Sequence, residues 1–288
     1  MSTSLVTVVT GTSTGFGYDT ARLLAAAGQR VFATMRDVAG RNAEPARNLA
    51  SLGITAVELD VTDQNSVDRG TAQILDAAGR VDVLINNAGT AHMGTTEAFT
   101  PASFERQLAT NVIGPFRVSR AFLPGMRAHR SGLVVFVSSI VGRVVLPATG
   151  VYTASKWALE GLAEALSYEL RPFGVDVAIV EPGAYATNIL NAIVGPDDAA
   201  RLESYGELGR SGEAVTSGIA SRASQRPAEV AEAIAALVAA PSGQRPLRTV
   251  VPAGHPAETI NATVEPIQRT ILESFGFGDV LQQIPSAV

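Results

Sequence analysis

Short runs of β-branched and other apolar residues alternate with longer stretches of helical periodicity through the first two-thirds of the chain. The runs predict strands over 5–10, 30–35, 55–59, 81–85, 133–138 and 176–180. Between them, helices are predicted over 16–27, 44–52, 64–78, 101–130 and 152–173. The strands are almost continuously apolar, the pattern expected where helices cover both faces of a sheet. Strand–helix alternation with right-handed crossovers then predicts an α/β fold around a doubly wound parallel sheet.

The pattern changes at 187–226, which is polar, glycine-containing and weakly periodic. Two readings fit it equally: a disordered insertion, or a lid over a substrate that follows the sixth strand. Regular elements resume with a helix over 228–239, a strand over 247–251 and a helix over 256–275. No linker or repeat divides the chain. It reads as one domain over 1–254 with a helical extension over 255–288.

The first strand runs directly into Gly11-Thr12-Ser13-Thr14-Gly15-Phe16-Gly17 and then into a helix. Such a turn can be merely flexible. Placed between strand and helix, though, it is what a dinucleotide pyrophosphate requires. Glycines let the backbone approach the phosphates, and the helix N-terminus meets their charge. Asp60 and Val61 follow the third strand, where the carboxylate can bond an adenine amino group or cap the next helix. Asn86-Asn87-Ala88-Gly89 ends the fourth strand, as a simple turn or as a brace along the cofactor. After the second strand, Arg36 suits a ribose 2′-phosphate while Asp37 suits a free 2′-hydroxyl. The absence of an acid at Met35 favours NADP(H) over NAD(H).

Ser138 and Ser139 end the fifth strand, on the same sheet edge as the glycine turn. Tyr152 and Lys156 follow at i and i+4 of a helix, hence on one face. Alone, Tyr-x-x-x-Lys is a common surface pair. At this edge it is chemistry: an ammonium and a cationic nicotinamide both favour phenolate, so Tyr152 can exchange a proton with a carbonyl or alcohol. Ser139 would donate to the substrate oxygen as negative charge grows there, and Lys156 would also hold the nicotinamide ribose.

Together these spaced motifs resemble the short-chain dehydrogenase/reductase family in its single-domain branch, over residues 6–187. The resemblance implies a Rossmann-like fold with a seven-stranded parallel sheet and a Ser–Tyr–Lys catalytic set. It further implies that Asn111 supports a proton relay, that Pro182 and Gly183 curve beneath the nicotinamide, and that Thr187 contacts the cofactor. Long helices of this kind pair across a two-fold axis in the family, so a homodimer or homotetramer is expected. Phe16 departs from the family pattern, where a smaller aliphatic residue is usual. Alternatives are a non-catalytic dinucleotide sensor, which generally loses the tyrosine or lysine, and an epimerase or dehydratase, which usually carries a larger C-terminal domain.

Composition narrows the remaining options. A formal net charge of -5 leaves no basic excess for nucleic acid, and the absence of cysteine excludes disulfides and thiolate chemistry. His92, His129 and His255 lie far apart and read as surface or loop residues, not metal ligands. With no signal core and no apolar run of membrane-spanning length, cytoplasmic residence is expected by default. Val141, Val144, Val145, Leu146, Met93 and Tyr185 are expected to face the substrate, with Ile189, Leu190 and Ile193 closing over it. They predict a small hydrophobic carbonyl or alcohol. No arginine is clearly placed to grip a substrate carboxylate, Arg143 being the one candidate.

Overall fold

The computed structural model describes residues 4–185, 193–210, 212, 217–218 and 226–278. Its centre is a seven-stranded sheet of β1 (Val6–Thr10), β2 (Arg30–Met35), β3 (Thr55–Glu58), β4 (Val83–Asn86), β5 (Gly132–Val137), β6 (Val175–Pro182) and β7 (Arg248–Val251). The strand order is 3-2-1-4-5-6-7 and every pairing is parallel. This is the Rossmann-like doubly wound sheet. The chain winds outward from β1 through β2 to β3, then returns to place β4 on the other side of β1. The crevice where the order reverses is where such sheets bind ligands.

Successive side chains in each strand feed opposite layers. Val8, Val134 and Phe136 pack with Val67 and Ile74 of α3 (Gln64–Ala78), Val118 and Phe122 of α5 (Gly114–His129), and Leu159 of α6 (Gly150–Leu170). Val9, Leu133 and Val135 face the other layer: Leu24 of α1 (Gly15–Ala26), Leu49 of α2 (Ala43–Ala50) and Ile234 of α8 (Ala228–Ala239). Burying each such aliphatic side chain contributes roughly 1.5–3 kcal/mol. Because both layers are filled, the near-continuous apolar strands are accounted for.

One expected helix is broken. The stretch 101–130 comprises α4 (Pro101–Leu108), a π-helical turn over Ala109–Ile113, and α5. Pro115 supplies the reason: it lacks the N–H that an α-helix would direct to Asn111, and its ring crowds that carbonyl. The chain widens into a π turn there. The structure also contains short elements that the sequence pattern does not predict. Two-residue strands Ala91–His92 and Ile193–Val194 pair in a separate parallel ladder, and α7 spans Ala199–Ser204. His92 is accordingly buried and stacked on Phe99, not a surface residue.

The C-terminal helix α9 (Ala257–Ser274) lies beyond β7. Among the described residues, no helix is long and apolar enough to cross a membrane.

Candidate active site

All seven strands being parallel, their carboxyl ends share one edge, and there a cavity of about 660 Å³ opens. Its walls include Gly11, Ser13, Thr14, Gly15, Phe16, Arg36, Asp60, Val61, Asn87, Ala88, Gly89, Ser139, Tyr152, Lys156, Pro182 and Gly183. These are sixteen of the twenty catalytic and cofactor residues expected from the sequence, from seven separate segments. Gly17, Asp37 and Asn111 lie off the wall, and Thr187 lies outside the described residues, as do Ile189 and Leu190.

One end of the cavity is main chain. Gly11 has φ +71, and a Cβ there would stand 2.7 Å from the Cα of Ala88. The close approach is fixed from both sides. The Asn87 side-chain amide donates to Thr10 O at 2.8 Å and Gly11 O at 3.1 Å, while the N–H groups of Asn87 and Ala88 both reach Thr10 Oγ1 at 3.0 Å. Gly17 serves this brace: a Cβ on it would fall 2.3 Å from Asn87 Nδ2. Helix α1 starts at the cavity with no acidic residue in its first turn and no side-chain bond from its cap, Thr14. Those free N–H groups fit an anionic pyrophosphate.

The ribose side separates the two competing residues. Asp37 sits at φ +52 in a tight turn, where its carboxylate accepts from Arg41 N at 3.0 Å. The carboxylate of Glu58 in turn receives the N–H groups of Asp37 and Val38, each at 2.7 Å. One oxygen of the Asp37 carboxylate is thus bonded within its own loop, and Asp37 is not on the cavity wall. Arg36 lines the cavity, joined by Arg41 and Asn42, which the sequence reading did not single out. A second cation five residues beyond the first was the available signal. Asp60 accepts from Thr62 N and Oγ1 at 2.8 and 2.7 Å and lies 3.9 Å from Arg36, while Asp63 caps α3.

The other end is built of side chains. Tyr152 and Lys156 come from the first turns of α6, and Ser139 from the residues just past β5. All three are largely buried. Ser139 accepts from Val141 N at 3.3 Å and donates to Pro182 O at 3.4 Å, and its hydroxyl lies beside Tyr152. Burial pushes the Tyr152 phenol up to about 12, opposed by the Ser139 hydroxyl. Burial pulls the Lys156 ammonium down to about 8, opposed by the Glu160 carboxylate. Lys156 Nζ donates to Val137 O at 2.9 Å and stands 5.7 Å from the Tyr152 ring centroid.

Asn111 in the π turn reaches both the loop after β4 and the catalytic helix. Its amide donates to Thr90 O at 3.0 Å and Ser155 Oγ at 3.1 Å, and its carbonyl accepts from Thr90 N at 2.9 Å. It fastens the residue next to Lys156. Of the expected apolar wall, Met93, Val141, Leu146, Tyr185 and Ile193 line the cavity, with Ile140 and Thr149 added. Val145 is exposed, and neither it nor Val144 reaches the wall. Arg143 is not on the cavity wall; its charge acts instead on the Glu160 and Glu181 carboxyls, which it helps to hold down. Among the described residues no cluster of three or more His, Cys, Asp or Glu could hold a metal.

Known proteins resemble this chain in sequence and fold. The sequence profile of a family described as short chain dehydrogenase matches residues 5–197. A 3-ketodihydrosphingosine reductase of Bacteroides thetaiotaomicron is 39% identical over 182 residues, covering 63% of this chain and 64% of the relative. The human 17-beta-hydroxysteroid dehydrogenase type 1 is 37% identical over 246 residues, covering 82% of this chain and 74% of the relative. A short-chain dehydrogenase structure from Streptomyces avermitilis superposes with a TM-score of 0.79 at 34% identity, over 96% of this chain and 97% of its own. Both nicotinamides occur among such neighbours. A metagenomic short-chain oxidoreductase holds NADP (29% identity, TM-score 0.66, 86% and 96% coverage). One from Burkholderia phymatum holds NAD (26% identity, TM-score 0.75, 92% and 94% coverage).

Proposed function

The chain belongs to the short-chain dehydrogenase family, an oxidoreductase family, and from that premise we propose that it reduces hydrophobic ketones or aldehydes with NADPH. One observation carries the reading: Ser139, Tyr152 and Lys156 meet at the apolar end of the cavity whose other end is the glycine turn. The nicotinamide supplies the hydride when bound. Tyr152 Oη would give its proton to the alkoxide oxygen forming on the carbonyl, and Ser139 Oγ would donate to the same oxygen. A phenol pushed up to about 12 rests protonated at neutral pH, which is the form reduction consumes. Oxidation needs phenolate and is expected to gain with rising pH. Lys156 supplies a cation for the ribose hydroxyls and against the phenol. Asn111 keeps the helix that carries Lys156 in register and, by family resemblance, supports the proton relay.

The preference for NADP(H) over NAD(H) rests on two guanidinium groups, Arg36 and Arg41, on the wall near Asp60, with Asp37 occupied by its own turn. The hydrophobic substrate rests on Met93, Val141, Leu146 and Ile193. Ile193 and Gly218 on the wall support reading 187–226 as a lid, a stretch of which 193–210, 212, 217–218 and 226 are described. We read 1–254 as the Rossmann-fold unit and 255–288 as its helical extension, a soluble cytoplasmic protein without nucleic-acid or membrane partners. Exposed Phe116 on α5 and Trp157 on α6 support a homodimer or homotetramer built on those helices.

The test is a panel of carbonyls and alcohols, graded in polarity, run with NADPH and NADH. Turnover of apolar ketones or aldehydes that is faster with NADPH is the expected result. Absence of turnover across the panel would favour a dinucleotide sensor, and equal use of both cofactors would remove the role given to Arg36 and Arg41.

A further inference from the structure

Beneath the catalytic residues lies a group of buried charges that the reaction as described does not use. Glu160 and Glu164 of α6 and Glu181 of β6 converge on Arg248 of β7, at 3.0, 2.6 and 3.4 Å. Glu160 is 3% exposed and Glu181 is fully buried. Asn261 of α9 donates to the second oxygen of Glu181 at 2.7 Å. From the residues after β5, Ser138 and Arg143 also face Glu160. Gly142 is what makes room: a Cβ on it would meet Ser138 Oγ at 2.8 Å and Glu160 Oε1 at 3.1 Å. Burial pushes the Glu160 carboxyl up, opposed by Arg248, by the Ser138 hydroxyl and by Arg143. Burying a carboxylate is costly, so its charge has to be matched by nearby cations.

Lys156 is such a cation. It lies four residues before Glu160 on α6, so the two occupy one face of the helix, and it is itself 6% exposed. Its ammonium bonds Val137 O, so Glu160 acts on it through the field and not by contact. With water excluded from both groups, that field is weakly screened. We propose that Glu160 is a positioning residue for the reaction: its carboxylate, one turn beyond Lys156 and clamped by Arg248, is the counter-ion that holds Lys156 as an ammonium beside Tyr152. The role rests on the acid–base reading above. Every charged group that faces Glu160 enters the balance: Lys156 and Glu164 on its own helix, Glu181 on β6, Arg248 on β7 and Arg143 after β5.

The sequence offers a direct readout, because Lys156 is the only lysine in its 288 residues. Protein grown on lysine labelled with ¹³C at Cε gives one side-chain resonance, whose shift with pH reports Lys156 alone. In Glu160→Gln the midpoint of that titration should fall by about one pH unit, the order expected on losing a nearby opposite charge. In Glu160→Asp, which alters packing but keeps the charge, it should stay close to the parent value. The alkaline limb of kcat for carbonyl reduction should move down with the resonance in Glu160→Gln. An unmoved midpoint in Glu160→Gln, or an equal fall in both variants, overturns the proposal, and so does a kinetic limb that ignores the resonance. The resonance needs no turnover, so failure of the substrate panel and failure of this counter-ion remain separate results.

Discussion

The two ends of the cavity are made of different material. The dinucleotide end is backbone: Gly11 and Gly15 at positive φ, the open start of α1, and the Asn87 amide pinning one loop to another. The acid–base end consists of side chains, Ser139, Tyr152 and Lys156, whose charge states are set by burial. A backbone site tolerates little change in shape, and the charge it reads is supplied by the start of α1 and by Arg36 and Arg41 beside it. A side-chain site behaves the other way, since removing one hydroxyl leaves the fold intact and the chemistry without a proton donor. The halves should therefore fail differently when altered.

Ser139→Ala is expected to cost roughly 10²–10³ in kcat, second only to loss of the Tyr152 hydroxyl, with cofactor affinity little changed. Steady-state kinetics beside a fluorescence titration with NADPH would show it; a matching loss of affinity would mean that the hydroxyl is structural. Gly17→Ala is the mirror experiment. The new Cβ must displace Asn87 Nδ2, so we expect weaker binding of NADPH and NADH alike, with about 1–3 kcal/mol lost in stability. Chemical denaturation and cofactor titration measure the two effects, and an unaffected protein would show that the brace is dispensable. Arg36→Ala should weaken NADPH about tenfold and NADH hardly at all, as expected on losing a charge-assisted bond. Equal losses for the two would end its role at the 2′-phosphate. Leu146→Ala is the mildest: a several-fold rise in KM for a bulky apolar ketone at nearly constant kcat.

What the sequence made legible follows the same division. The glycine turn, Asn87 and the Tyr152–Lys156 pair are local patterns, each decided within a few residues by one strand end and one helix start. The doubly wound sheet was legible because the apolar runs report burial on both faces. Other features depend on partners far along the chain. Whether Asp37 or Arg36 faces the cofactor turns on the Glu58 carboxylate, twenty or so residues away, which receives the Asp37 turn. The tuning of Lys156 depends on Glu160, and the burial of Glu160 on Arg248, 88 residues further on. The break at Ala109–Ile113 did have a local signal in Pro115, but helical periodicity runs through it and masks the missing N–H. His92 is buried by a two-residue ladder with Ile193–Val194, too short to leave a pattern.

The account stands on Tyr152 as the group that moves the proton. Its most direct test is the single-turnover rate of carbonyl reduction by Tyr152→Phe, compared with the parent protein at saturating NADPH. The ring and its packing stay while the hydroxyl goes. We predict a rate at least about 10³ lower with NADPH still bound at nearly parental affinity. A variant that binds NADPH and reduces the ketone within a few-fold of the parent rate would contradict the account.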